Sequence, residues 1–137
     1  MTYKIEQLEV WQLALEYSDL IYAIAEKLPR SEDFNLRSQI TRATVSIALN
    51  IAEGSTSQSD AEQARFLGLA IRSLVETVAC QRLIHRRGYF SDPNSLRHAY
   101  RSSEKLFAKL QAFRTTLRAD TLREDPAQYQ IDNDTPF

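Results

Sequence analysis

The chain has 137 residues and a mass of 15.7 kDa, which sets a folded surface of roughly 7,300 Å² against roughly 22,800 Å² unfolded and so one core in one domain. Hydrophobic residues at 43% and charged residues at 26% exclude a disordered or fibrous chain. Three glycines and four prolines are too few for the turns of a β-sandwich or barrel, which leaves long helices. The net charge of −1 conceals a separation: residues 1–57 carry −3, residues 58–119 carry +6 and residues 120–137 carry −4. Local fields of that kind, rather than the total, decide what a surface attracts.

The first helix is predicted over residues 8–28, where Leu8, Trp11, Ala14, Tyr17, Ile21, Ile24 and Leu28 recur at helical spacing and Pro29 ends the run. Helix two is predicted over residues 35–53, with Gly54 as its C′ residue. It carries two apolar stripes. Leu36, Ile40, Ala43, Ile47 and Ile51 form one, and Val45, Ala48, Leu49 and Ala52 lie roughly opposite, more than one small core can bury, which points to subunit contact. Ser59 and Glu62 make a capping box that opens helix three, residues 59–87, with Gly88 as its stop. Asp92 and Pro93 supply an N-cap and an N1 proline for helix four, residues 92–119. The acidic stretch 120–137 has no period and reads as a mobile tail. Four amphipathic segments with short links pack most simply as an all-α, antiparallel up-down-up-down bundle.

Catalytic motifs fail one by one. The residues three before His85 and His98 are Arg82 and Ser95, so the Glu-x-x-His of a di-iron bundle is absent. Gly54, Gly68 and Gly88 are isolated, which removes phosphate-cradling and dinucleotide turns. Cys80, the sole cysteine, sits among apolar positions and reads as a small core residue; it excludes a disulfide framework and fits a reducing compartment. No metal, cofactor or enzymatic activity is expected. No apolar run nears the ~20 residues of a membrane span and the start of the chain lacks a signal peptide's apolar stretch, so a cytoplasmic, membrane-free protein is expected. Asn50, Glu53 and Glu76 are the polar residues nearest the apolar faces. Capping, helix-to-helix hydrogen bonding or ion pairing with Arg42 or Arg72 is their expected role, since buried polar groups commonly fix register.

Binding chemistry concentrates in the basic stretch. Arg82, Arg86 and Arg87 close helix three, and Arg97, Arg101, Lys105 and Lys109 advance along helix four in steps of four. Antiparallel neighbours bring the two groups near each other, with Tyr89, Phe90 and Tyr100 to offer aromatic faces to unstacked bases. A solvated basic helix face is the ordinary alternative. Residues 48–67 also invite a helix-turn-helix reading, but the link is too long and the following helix too apolar for a recognition helix. The acidic tail offers a third element, a cover for the basic face that regulates access to it.

Three stretches, LEVWQLA (Leu8 to Ala14), QITRATVSIALNIAEG (Gln39 to Gly54) and FLGLAIRSLVE (Phe66 to Glu76), together with RRGYF at the end of helix three, resemble the four-helix-bundle family encoded in intervening sequences of bacterial 23S ribosomal RNA genes. The resemblance implies a cytoplasmic bundle without established catalysis that assembles with itself, as a pentameric ring. It also implies a distant similarity to the bundle accessory proteins of diversity-generating retroelements, which present a basic surface to nucleic acid and to a reverse transcriptase. Two positions depart from the family pattern: Thr41 stands where a second arginine often precedes Arg42, and Ile47-Ala48-Leu49 lacks the usual proline, which leaves helix two straighter. The resulting expectation is a self-assembling helical bundle that binds RNA or DNA through the α3–α4 basic surface. The competing one is a scaffold or accessory subunit that binds a protein partner.

Overall fold

The computed structural model describes residues 1–122 and 134–137. After a 3-10 turn at Lys4–Gln7, four helices follow: α1 (Glu9–Glu26), α2 (Leu36–Ser55), α3 (Asp60–Arg86) and α4 (Asn94–Leu122), with a second 3-10 turn, Arg30–Glu32, between α1 and α2. Helix four therefore runs past the expected end at Ala119. The rest of the stretch read as a mobile tail divides: residues 123–133 lie outside the described residues, while Phe137 packs against the core. No helix among the described residues is long and apolar enough to cross a membrane.

Buried positions follow heptad spacing. In α3, Gln63, Leu67, Ala70, Leu74, Thr77, Gln81 and Ile84 alternate steps of four and three, with Ala64, Ile71 and Cys80 buried beside that seam; α1 does the same at Val10, Ala14, Tyr17, Ile21 and Ile24, with Leu13 and Ala25 beside it, and α4 at Leu96, Ala99, Ser103, Leu106 and Leu110. A seam of period 3.5 keeps facing its neighbours when helices coil gently left-handed about one another, the geometry of four-helix bundles. Pairings confirm the antiparallel order of α2 and α3: Gln39 meets Glu76, Ser46 bonds Ser73 at 2.9 Å, and Gly54 lies against Phe66. Each helix packs against its two chain neighbours around the ring, with α4 closing on α1.

The ends are held by specific caps. Ser59 Oγ accepts from the Glu62 amide at 3.1 Å, as the sequence predicts, while α4 begins at Asn94, with the Pro93 carbonyl accepting its first bond and Asp92 Oδ1, one position before the cap rather than in it, accepting from the Asn94 amide at 3.0 Å. Gly88 ends α3 at φ +73°, the left-handed region where a side chain is strained. Gly54 differs from its expected role. It lies inside α2 rather than beyond it, and a Cβ there would sit 3.1 Å from the Phe66 Cβ, so its smallness serves close approach of α2 to α3 and not the turn. One polar chain crosses the otherwise apolar core: Gln81 Nε2 donates to the Tyr17 hydroxyl at 2.7 Å, Tyr17 donates to Thr77 Oγ1 at 2.7 Å, and Thr77 donates to the Leu74 carbonyl at 2.6 Å. It ties α1 to the diagonally opposite α3. Burial pushes the Tyr17 hydroxyl's pKa well up, so it stays a protonated donor.

Candidate nucleic-acid interface and oligomer face

The seven candidate cations separate into groups. A step of four residues overshoots one helical turn by ~40°, so three steps from Arg97 to Lys109 rotate through ~120° and cannot keep one face. The contacts show the result. Arg97 turns toward α3, where its Nε donates to the Phe137 carbonyl at 2.8 Å, whereas Lys109 sits on the opposite flank, 3.6 Å from the Glu9 carboxylate of α1. Arg101 and Lys105 lie between them, exposed. On α3, Arg82 and Arg86 are exposed and one turn apart, at the level where His85 and Tyr100 both meet the Phe137 ring. Arg87 lies toward the α1–α2 link, where its charge helps hold the Glu32 carboxyl down. Arg82, Arg86, Arg101 and Lys105 thus remain as exposed cations, and among the described residues no acid forms an ion pair with them.

The aromatic residues expected beside them are engaged. Tyr89 donates its hydroxyl to Glu32, Phe90 is half-buried against the core, and Tyr100 packs edge-on to Phe137 with ring centres 5.8 Å apart. Tyr89 and Phe90 line an open pocket at the α3–α4 turn with Lys27 and Ser95, while the exposed cations lie on the helices themselves.

Sequence reasoning missed the Glu32 cluster. This buried carboxylate receives the Tyr89 hydroxyl, the Leu36 amide at 3.3 Å and the Asn35 side chain at 2.9 Å, joining the α1–α2 link, the start of α2 and the α3–α4 turn. The Tyr89 hydrogen bond above all holds its pKa below the ordinary carboxyl value. Arg37 is a second such residue: its guanidinium bonds the Ala25 carbonyl at 2.9 Å and the Leu28 carbonyl, and pairs with Asp33, satisfying the exposed carbonyls at the end of α1. Nothing in local spacing announces either group; only an acid at an N-terminus and a base after a helix end hint at them. A third, Arg114, lays its guanidinium over Gly68 with atoms 3.4 Å from where a Cβ would stand.

The polar trio and the outward face fall as follows. Asn50 Nδ2 bonds the Ser46 carbonyl at 2.9 Å and its hydroxyl at 3.1 Å, and Glu76 accepts from Gln39 across the α2–α3 seam. Glu53 is exposed, and its backbone carbonyl accepts from Thr56. Asn50 therefore acts as an intrahelical tie and Glu76 as a helix-to-helix one. On α2, Val45 is 40% and Leu49 58% exposed, with Ala48 and Ala52 half-buried beside them. Leu15 and Tyr22 of α1 and Val75 and Leu83 of α3 are exposed as well, which sequence reasoning did not single out. Cys80 is buried, and burial, aided by the Glu76 charge, pushes its thiol up to about 11, far from a thiolate nucleophile. Among the described residues no group of three His, Cys, Asp or Glu could hold a metal ion.

Residues 6–112 match the family described as 23S rRNA-intervening sequence proteins. The chain belongs to that family. The match spans all of α1 to α3 and most of α4, including both the basic level and the outward α2 face. Among solved structures, the fold is similar to a protein of unknown function from the S23 ribosomal protein family of Bacteroides thetaiotaomicron, 23% identical, with a TM-score of 0.56 over 82% of this chain and 98% of that one. No curated protein matches.

Proposed function

We propose that this member of the family is a non-enzymatic, cytoplasmic bundle that assembles with itself and binds the phosphate backbone of RNA or DNA through Arg82, Arg86, Arg101 and Lys105. The observation that carries this reading is the set of four exposed cations at one level of α3 and α4 without a described acid partner. A ring would repeat the set by symmetry, so weak phosphate contacts would act together. The outward apolar residues Val45 and Leu49, with Ala48 and Ala52, are the proposed subunit contact, and a pentamer is the number that the family resemblance implies. Leu49→Glu is expected to reduce the mass measured by light scattering to that of a smaller species. An unchanged mass sinks the assignment of that face.

The test of the binding surface is fluorescence anisotropy with labelled single- and double-stranded RNA and DNA. Four phosphate contacts on a single strand give a slope of about −2.8 in log K against log salt, or an affinity loss of roughly 50-fold between 50 and 200 mM. Replacing all four cations by Glu should abolish binding without altering circular dichroism. Binding that survives the replacement refutes the reading. The second reading, a scaffold for a protein partner, rests on the exposed Val75 and Leu83 of α3, and absence of nucleic-acid binding at low salt would favour it.

A further inference from the structure

The described segment Asp134–Phe137 returns to the bundle at the junction of α3 and α4. Phe137 is half-buried against the core, its ring nearly perpendicular to those of His85, 5.1 Å between centres at 82°, and Tyr100, 5.8 Å at 81°. Its carbonyl accepts from Arg97 Nε at 2.8 Å, and its amide and carbonyl both lie 3.4 Å from the Thr135 hydroxyl, which folds the last residues into a compact turn. The slot therefore recognises two things at once: an aromatic ring set nearly perpendicular to the His85 and Tyr100 rings, and a backbone carbonyl facing a guanidinium donor that no other acceptor fills as well, since its other described contact, to Asn94, is 3.4 Å. The His85 Nδ1 atom is buried beside this ring with no hydrogen-bond partner.

We propose that His85, Tyr100 and Arg97 form a binding slot for a phenylalanine residue of a peptide, that its occupant is Phe137 of the same chain, and that this occupant exchanges with a peptide of the same chemistry. The chain length permits the occupant to come from the same subunit. From Leu122 to Arg97 is 25 residues along α4, about 37 Å, and the fifteen residue steps from Leu122 to Phe137 reach up to about 50 Å. The slot is held by ring packing and by one hydrogen bond from a guanidinium, and salt weakens only the second of the two. An empty slot would leave the rings of His85 and Tyr100 uncovered and free the Arg97 guanidinium, one turn from Arg101. The assignment stands independently of the nucleic-acid reading.

The chain has two histidines, His85 in the slot and His98 exposed on α4, so histidine-selective NMR of the full chain reads the slot with an internal reference. Phe137→Ala should move the His85 ring signals and leave those of His98 in place. Arg97→Gln should move them in the same direction by less, with Phe137 retained. Adding the synthetic peptide Asp-Thr-Pro-Phe to the Phe137→Ala protein should return the His85 signals toward their original position. His85 signals that ignore Phe137→Ala, or that the peptide never shifts, overturn the slot. Labelled Phe137→Ala chains co-refolded with unlabelled unaltered chains distinguish the source. Labelled His85 that stays at the variant position supports an occupant from the same chain, and its return to the original position overturns that part.

Discussion

Removing one oxygen atom from the centre of the bundle tests the account of its polar chain. Tyr17 is fully buried and its hydroxyl stands between Gln81 and Thr77, receiving one hydrogen bond and giving the other. In Tyr17→Phe, Thr77 keeps its bond to the Leu74 carbonyl, so its loss is about 0.5–1 kcal/mol. Gln81 fares worse, because it is fully buried and its Oε1 already lacks a partner; stranding its amide costs about 1–3 kcal/mol. The sum is about 1.5–4 kcal/mol, read in urea melts at one fixed protein concentration as a midpoint lowered by roughly 1–2 M. Adding Gln81→Leu to Tyr17→Phe removes the stranded group, so the pair should be about 1–2 kcal/mol more stable than the sum of the single changes. A Tyr17→Phe protein within about 0.5 kcal/mol of the unaltered one, or two changes that simply add, would refute the reasoning.

Other outcomes follow from the same structure. Alanine at Gly68 meets the guanidinium end of Arg114 at ordinary contact distance and should gain up to about 1 kcal/mol from helix propensity, while alanine at Gly54 meets the backbone-anchored Phe66 Cβ at 3.1 Å and should lose stability; equal effects in thermal melts would contradict the close-approach argument. Glu32 has its pKa lowered in the fold by the Tyr89 hydroxyl, so its contribution is fully present above the ordinary carboxyl value of 4.5 and disappears as pH falls through the folded value. Tyr89→Phe should therefore flatten the fall of melting temperature with pH in acid, and an unchanged slope counts against the cluster. Thiol reagent should leave Cys80 untouched in the native protein and modify it after denaturation, since the thiol is buried with its pKa near 11; fast native labelling would show that α3 opens there.

The bundle was legible because the helical spacing of apolar residues, Ser59, Asp92 and Gly88 all act within one or two helical turns, where sequence distance and spatial distance agree. Gly54 was misjudged for the complementary reason: a glycine near a helix end looks like a stop, and only the approach of Phe66, twelve positions later in another helix, reveals its use. The Glu32–Tyr89 bond spans 57 positions and the Arg97–Phe137 bond 40, and no periodicity encodes either. The split of the α4 cations, by contrast, was available from arithmetic, since a step of four drifts around a helix of 3.6 residues per turn. The outward stripe of α2 was visible because it needed only the helical angle of Val45 and Leu49, whereas Leu15, Tyr22, Val75 and Leu83 belonged to stripes whose far edge only packing defines.

Arg37, Glu32 and Tyr89 fasten the end of the bundle where α1 passes to α2 and α3 to α4. At the opposite end, among the described residues, the α2–α3 link is held by the single-residue cap of Ser59 and the Thr56 and Ser55 hydroxyl bonds to backbone carbonyls within one turn, and α4 is tied to the start of α1 by the exposed Lys109–Glu9 pair. Local unfolding should therefore be directional, like a clasped bag that opens at its mouth. Amide hydrogens around residues 52–62 would exchange first and those around Leu36, Ile84 and Leu96 last, leaving the basic level of α3 and α4 in the part of the molecule that breathes least.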